Sequence, residues 1–573
     1  MHKAAGGNGG GAGGVVVAGM HRSGGSLTAA LLAALGVRMS GRERDRGSGD
    51  AADSHARCES LEVIRFHQRL FAEQLPADAP GYVDWGWTAA ASVDAGLLHG
   101  RERETRALVA ARSTMGGMWG LCDPRVTPVL DFWHSQLAEA VYVAVYRSPT
   151  AVADSMQRMG VDTFLANPGF AWPIWRLYNQ RLLDFVQRHR DRCVLFNIDA
   201  LPEGIDRLVG LLQERFRLGP PAVDPARCFD PDRFTPVASF VEREAIARSV
   251  WPECFALYEA LERHADLPLG ALGSPPPSVA ALQRSQPGER ATDLSIVIPT
   301  YNDAVFLVEA LASVAASTGG RYDVQVLDDG STAPESVEVL NRLGEAGYPV
   351  SRQPNRGLSA TRNAMIRRAK GRFILPLDAD NRLVPGFIER ALGELEDDPG
   401  LGVVYGDRQL FGAADGVVAV PDFDPEDNLN GNQIDACAIY RREVWDDVGG
   451  YDEQLDCFGD WEFWVHAGKR GWRLRHLPGV AFEYRVRPGS MLAGHDTFAA
   501  RWQRHRRFLQ KHPDLLLRLL PGPLRWLSGG SSGNDARCWR PNLWQRIVLA
   551  LFWIPAWERP RFKRRIPVAG RPR

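Results

Sequence analysis

The chain of 573 residues contains no run of about 18 consecutive apolar residues, so no segment reads as a bilayer-spanning helix. Its eight cysteines, Cys58, Cys122, Cys193, Cys228, Cys254, Cys437, Cys457 and Cys538, are scattered, with no CxxC pair and no zinc-like clustering. That pattern argues against a disulfide framework or a zinc centre, and the thiols read as reduced in an intracellular setting. The first residues, MHKAAGGNGGGAGG, lack the apolar core of a secretory signal, and positions 1–12 read as a flexible Gly-rich leader. The GxxxxGK[ST] signature of ordinary ATPases is missing as well.

Net charge is only −1, but it is unevenly spread. From Arg501 to Arg573 there are 17 Lys and Arg against three acids, interleaved with LLLRLLPGPLRWL (515–527) and IVLALFWIPAW (547–557). Basic residues beside Trp and Leu suit an anionic membrane surface, at the inner face of the cell membrane for a cytoplasmic protein. The alternative is a packed helical extension whose charges bind an anionic glycan or face solvent. No nucleic-acid-reading module accompanies the charge, so nucleic acid is not expected as a partner.

A chain of this length exceeds one compact core and predicts two or three domains. Positions 266–293, rich in Pro, Ser, Gly and charge without sustained periodicity, read as a linker. The predicted organisation is α/β throughout: a phosphate-binding unit over 13–265, the linker, a nucleotide-binding unit over 294–500, and the tail over 501–573.

Beyond the linker, three short apolar runs end in polar residues: SIVIPTYN (295–302), VLDDGS (326–331) and LDAD (377–380). Buried parallel strands deliver side chains to the carboxyl edge of a sheet in this manner, and ligands bind there. Asp378 and Asp380 are hard oxygen donors suited to Mg²⁺ or Mn²⁺ bridging a diphosphate. A lone DxD is more often a solvated loop; three such elements in this order argue otherwise.

Together with NRGLSATRNAMI (355–366), the GGYDE turn (449–453) and GDWEFWVHAGKRGW (459–472), residues of roughly 293 to 495 resemble an inverting family 2 glycosyltransferase of the GT-A, Rossmann-like fold. The resemblance implies transfer of a sugar from a UDP- or GDP-sugar to a glycan or lipid-linked acceptor. Carried over, Thr300, Tyr301, Asn302, Asp328 and Asp329 hold base and ribose, Arg362 holds the nucleotide, and Asp378 and Asp380 hold metal and diphosphate. Asp460 falls at the family's catalytic base, and its neighbours Phe458, Trp461, Phe463 and Trp464 favour a raised pKa. Its alternative role is to cap the following helix. Two departures stand out. Gly459 replaces a common Glu, and Arg487 replaces a His, so Arg487 is expected to clamp phosphate directly while the metal has fewer protein ligands.

In the first half, GGVVVAGMHRSGGSLTAALLAALGV (13–37) runs from an apolar strand through a Gly/Ser/Arg loop into a helix with Leu27, Leu31, Leu32 and Leu35 on one stripe. In such a turn, backbone N–H groups and the helix dipole cradle phosphate. With WGLCDPRVTPVLDFW (119–133) and AVYVAVYRSPTAVADSMQRMG (140–160), residues of roughly 13 to 255 resemble a sulfotransferase of the three-layer P-loop fold. This resemblance implies 3′-phosphoadenosine 5′-phosphosulfate (PAPS) as cofactor. Arg22, Ser23, Gly24, Gly25, Ser26 and Leu27 would surround the 5′-phosphosulfate, with Arg22 catalytic, and Arg147 and Ser155 would grip the 3′-phosphate. Glu59 is the candidate base and His67 a weaker one, expected on a helix surface. Gly25 stands in place of a usual Thr, Arg22 of Lys, and Cys122 of a Lys before DPR.

The expected protein joins glycosyl and sulfuryl transfer in making a sulfated surface or secreted polysaccharide. One alternative is a glycosyltransferase whose first domain only binds; another is a non-catalytic glycan-assembly protein, against which Asp378, Asp380 and Asp460 argue.

Overall fold

The computed structural model describes residues 13–39, 60–73, 98, 100–113, 117–137, 139–229, 240–270, 293–317, 322–424, 428, 432–455, 458–488, 490, 507, 508 and 510–512. The Gly-rich leader, Glu59, most of the 266–293 segment and nearly all of the basic tail lie outside them. The chain divides into two compact units, one through Pro277 and one running from Ser278 to Pro572.

In the first unit, β1 (Gly14–Ala18), β2 (Arg38–Met39), β3 (Trp119–Cys122), β4 (Val141–Tyr146) and β5 (Cys193–Asn197) form an all-parallel sheet in the order β2-β3-β1-β4-β5. Every residue of β1 is buried, as expected of a central strand covered on both faces. Because β1 pairs with β3 on one side and β4 on the other, the loop leaving its carboxyl end lies where the connections diverge. That loop enters the helix Gly25–Ala34, on which Leu27, Leu31 and Leu32 are buried along with the adjoining Leu35. Gly24 has φ +99°, and a Cβ there would lie 2.4 Å from Ile198 Cγ1, so both conformation and space demand glycine. Asp266, expected in the linker, instead accepts from Leu195 N–H and Arg215, and Leu267 is buried beside β5.

The second unit is built on nine strands: β6 (Leu294–Thr300), β7 (Tyr322–Asp328), β8 (Val350–Arg352), β9 (Phe373–Pro376), β10 (Arg382–Leu383), β11 (Leu401–Gly412), β12 (Gly416–Val418), β13 (Ile439–Arg441) and β14 (Arg473–Val486). The order is β10-β14-β11-β13-β9-β6-β7-β8, with β12 beside β11. Strands β9, β6, β7 and β8 are parallel neighbours, which aligns the loops after VIPT, VLD and FILP along one edge. β13 runs antiparallel to β9 and β11, and β11 pairs with β14 in parallel across two irregularities near Gly406–Arg408. Val297, Leu327, Ile374, Tyr440, Phe463 and Trp464 fill the core beneath this edge. Among the described residues no helix is long and apolar enough to cross a membrane, and Cys122, Cys193, Cys228, Cys254 and Cys437 form no disulfide.

Candidate active site

The loops after β6 and β7 are knit together by their own side chains. Asn302, at φ +58°, accepts from the Thr332 and Ala333 N–H groups, both at 2.8 Å, while its own N–H donates to Ser331 Oγ. Asp328 accepts from Ser331 N–H at 2.9 Å and pairs with Arg352 at 3.1 Å. Asp329 accepts from Gln353 Nε2 and from the N–H groups of Arg356 and Gly357, all within 2.9 Å. Gly330 permits this approach: at φ +80°, a Cβ would fall 2.8 Å from Asn355 N. Of the five residues expected to hold base and ribose, Asn302 and Asp329 therefore shape the loops. Tyr301, 46% exposed, presents the more available surface, while Thr300 Oγ1 is buried without a hydrogen-bond partner among the described residues.

At the end of β9, Arg362 Nη2 donates to Asp378 at 2.5 Å. Burial disfavours the Arg362 charge, but Asp378, Tyr451 and Asp460 outweigh it and hold the guanidinium more firmly protonated than usual. Asp380 accepts from Arg487 Nε at 3.0 Å, and Arg487 Nη2 reaches Asp303 at 2.6 Å. Arg487, expected to clamp phosphate, is thus already aimed at the DxD loop. Burial raises the pKa of both Asp380 and Asp303; Arg487 opposes this, and neighbouring carboxylates reinforce it. Arg485 braces the same loop, donating from Nε to the Asp380 carbonyl and from Nη2 to Glu309, with its guanidinium between the Phe306 and Phe411 rings.

These residues fit a divalent cation. The donors are hard oxygens, and the crowded carboxylates favour protons in a way that a bound cation would relieve. No group of three or more His, Cys, Asp or Glu converges on one point among the described residues. Diphosphate and water oxygens would complete the shell, as is usual for Mg²⁺.

Asp460 lies in the first turn of the helix Gly459–Lys469, so it is not the residue that caps it; the N-cap is Phe458, at φ +63°. Asn432 Nδ2 donates to Asp460 Oδ2 at 2.8 Å. Burial raises the Asp460 pKa against the opposing pull of Arg362 and the hydrogen bond from Asn432. The Gly459 departure has a steric cause: a Cβ would lie 2.4 Å from Ser359 Oγ, which donates to the Leu455 carbonyl. One further carboxylate, missed in the sequence, belongs to this group. Burial and the charges of Asp378 and Asp460 push Asp435 up to about 7. It precedes β13 in no recognisable motif, and its neighbours in space are distant in sequence, so only its burial beside them marks it.

Residues 295–449 match the family model "Glycosyl transferase family 2". The uncharacterized glycosyltransferase YwdF of Bacillus subtilis is 28% identical over 235 residues, 38% of this chain and 84% of the relative. The Pasteurella multocida chondroitin synthase is 26% identical over 195 residues, 33% of this chain but only 20% of the synthase. Staphylococcus aureus TarS 1–349 in complex with UDP-GlcNAc overlays with TM-score 0.32 at 19% identity, over 38% of this chain and 66% of that one, too slight a likeness to carry an argument.

The C-terminal unit carries a family 2 glycosyltransferase domain. Within this glycosyltransferase domain the structure brings Arg362, Asp378, Asp435 and Asp460 into electrostatic reach of one another, and Arg487 onto Asp380.

In the N-terminal unit, the expected phosphate loop has two left-handed residues, Arg22 and Gly24, before the helix Gly25–Ala34. Arg22 Nε donates to Ser155 Oγ at 2.9 Å, and burial, Arg158 and Arg147 lower the Arg22 pKa. Arg147 is engaged by Asp199, with Nε 2.9 Å from its carboxylate. Arg147 and Ser155 thus hold other partners, yet Arg22 is adjacent to both. Ser23 Oγ is buried with no hydrogen-bond partner. A Cβ on Gly25 would meet Cys122 Sγ at an ordinary 3.8 Å, so two of the three departures from the sulfotransferase pattern face each other. His67, expected on a helix surface, is fully buried: it contacts Asp123 at 2.8 Å through Nδ1 and accepts from Trp133 Nε1 at 2.9 Å. With both ring nitrogens engaged, it serves packing; its apolar helix neighbours Phe66 and Leu70 turn that face inward.

Proposed function

We propose that the C-terminal unit transfers a sugar, with inversion, from a UDP- or GDP-sugar to a hydroxyl of a glycan or lipid-linked acceptor. The observation that carries this reading is that one buried arginine, Arg362, is shared between Asp378 on the diphosphate side and Asp460 on the acceptor side. In this reading Asp460, its proton affinity raised by burial, takes the acceptor hydroxyl proton as the bond to the anomeric carbon forms. Thr300 and Tyr301 meet the base, Asp328 the ribose or base edge, and Asn302 and Asp329 keep those loops in register. Asp378 and Asp380 hold Mg²⁺ or Mn²⁺, which would offset charge on the departing nucleoside diphosphate. Arg362 and Arg487 bind its phosphates.

For the N-terminal unit we propose binding of a nucleotide bearing two phosphates at Arg22, Ser23, Gly24, Gly25, Ser26 and Leu27, with Arg147 and Ser155 at the second phosphate. PAPS-dependent sulfuryl transfer, with Glu59 as base, is the finer form of this proposal. The arginines gathered around a left-handed loop favour an anion there, whereas a glycosyltransferase with a merely binding first unit fits the comparisons equally well. Cytoplasmic placement and contact of the basic tail with an anionic membrane are further parts of the proposal.

Incubation of the full chain with UDP-glucose, UDP-GlcNAc and GDP-mannose, with and without Mn²⁺, tests the main reading. Metal-dependent release of nucleoside diphosphate from at least one donor is expected. No release from any UDP- or GDP-sugar at saturating Mn²⁺ would overturn it.

A further inference from the structure

The face of the helix Gly459–Lys469 that does not meet the sheet is covered by residues from the start of the basic tail. Phe508, 6% exposed, stacks on Trp461 with ring centroids 4.6 Å apart and planes at 19°. Together with Val465 and Phe458 these rings make a small apolar cluster separate from the main core. Beside it lies a charged lock. Glu462 is completely buried; its Oε1 meets His512 Nε2 at 2.7 Å and its Oε2 meets Lys511 Nζ at 2.9 Å. Lys469 Nζ approaches the other ring nitrogen of His512 at 3.1 Å. Arg507 pairs with Asp452 at 3.0 Å, in the turn that precedes the helix.

This arrangement packs on Phe458 and Trp461, the residues that flank Gly459 and Asp460. The residue before the helix, Phe458, has φ +63°, a conformation rare for a bulky side chain and maintained only where its surroundings over-determine it. Its carbonyl accepts from Glu462 N–H at 3.2 Å, so the strained turn and the locked glutamate are joined. Trp461, next to Asp460, donates to the Asn428 carbonyl on one side and stacks on Phe508 on the other. A buried carboxylate held by Lys511 and His512 is costly to leave unpaired, which ties the segment to the helix.

We infer that Arg507, Phe508, Lys511 and His512 form a positioning clasp that sets the angle at which Asp460 faces the acceptor, with Phe508, Lys511, His512 and Glu462 as positioning residues. The inference rests on Asp460 as the base. The donor-side residues lie on other elements, at the ends of β6, β7 and β9 and on the helix Leu358–Arg368, so loosening the clasp is expected to act on turnover and leave nucleotide binding intact.

The test uses the full chain and whichever of UDP-glucose, UDP-GlcNAc or GDP-mannose turns over with Mn²⁺. Phe508→Ala is expected to lower kcat by about tenfold or more, since small misplacements of a reacting group are amplified in rate. The KM for donor and the Kd for the nucleoside diphosphate should stay within about twofold, and Phe508→Tyr, which keeps the stack, should restore kcat. Hydrogen exchange of the 459–469 amides should accelerate in Phe508→Ala while that of 294–300 does not. If Phe508→Ala does not fold, Phe508→Leu, which retains apolar volume without the ring, carries the same expectations. Unchanged kcat, or loss of donor affinity in proportion to kcat, overturns the clasp. If the wild-type chain turns over no donor, the glycosyltransferase reading fails, and the exchange measurement still decides whether the segment holds the helix.

Discussion

Arg362 donates to Asp378 at 2.5 Å from a buried position, and the charge of Asp460 bears on the same guanidinium. The two ends of the proposed reaction are therefore linked by a single cation. Removing either aspartate changes the other's environment: loss of Asp378 leaves Arg362 a stronger partner for Asp460, which lowers the Asp460 pKa and weakens it as a base.

Asp378→Ala and Asp380→Ala are each expected to lower Mn²⁺-dependent release of nucleoside diphosphate by about 10²-fold or more, the scale seen when one preorganised charge contact is lost. Titration calorimetry should show nucleoside diphosphate binding that no longer strengthens with Mn²⁺. A folded double variant with full activity in EDTA would refute the metal assignment.

Asp460→Asn keeps the shape of the side chain and removes its basicity. Transfer should fall by roughly 10²-fold or more while nucleotide affinity changes little. In the wild type, only ionised Asp460 accepts a proton, so activity should rise with pH through a midpoint above the usual carboxylate value of about 4. An acidic limb at or below that value would remove the role assigned to burial.

Asp435 should make stability depend on pH. Its folded pKa, raised to about 7, exceeds that of the unfolded chain, so the folded state holds the proton more tightly. Its favourable contribution is complete below the unfolded pKa and is lost as pH rises through about 7. Asp435→Asn, neutral at every pH, should therefore melt about 2 °C or more above wild type at pH 8, with the gap narrowing at pH 5 and closing only below about pH 4. The same gap at both values would assign the effect to packing.

For the N-terminal unit, adenosine 3′,5′-bisphosphate should bind the full chain at least about tenfold more tightly than adenosine 5′-phosphate, because the second phosphate adds charge-assisted contacts. Arg147→Ala should abolish the difference. Equal affinity for the two nucleotides in calorimetry would reject the nucleotide proposed there.

Local pattern was enough to place β1, β6, β7 and β9, because a buried parallel strand must be continuously apolar and must end where polar residues begin. It also marked Asp378 and Asp380 at the loop after β9, whereas Arg362 and Asp460 are singled out by the family resemblance. Tertiary structure alone decided what each then touches. The aspartates of VLDDGS divide between pairing with Arg352 and holding the 353–357 loop, and Asn302 turns back on its own loop, since adjacent side chains of one turn point in different directions. His67 reads as a surface residue until Asp123 and Trp133, 56 and 66 positions away, close over it. Asp435 and the clasp residues Phe508, Lys511 and His512 carry no local signature at all. Their importance comes from burial and from partners distant along the chain, and neither quantity exists until the chain has folded.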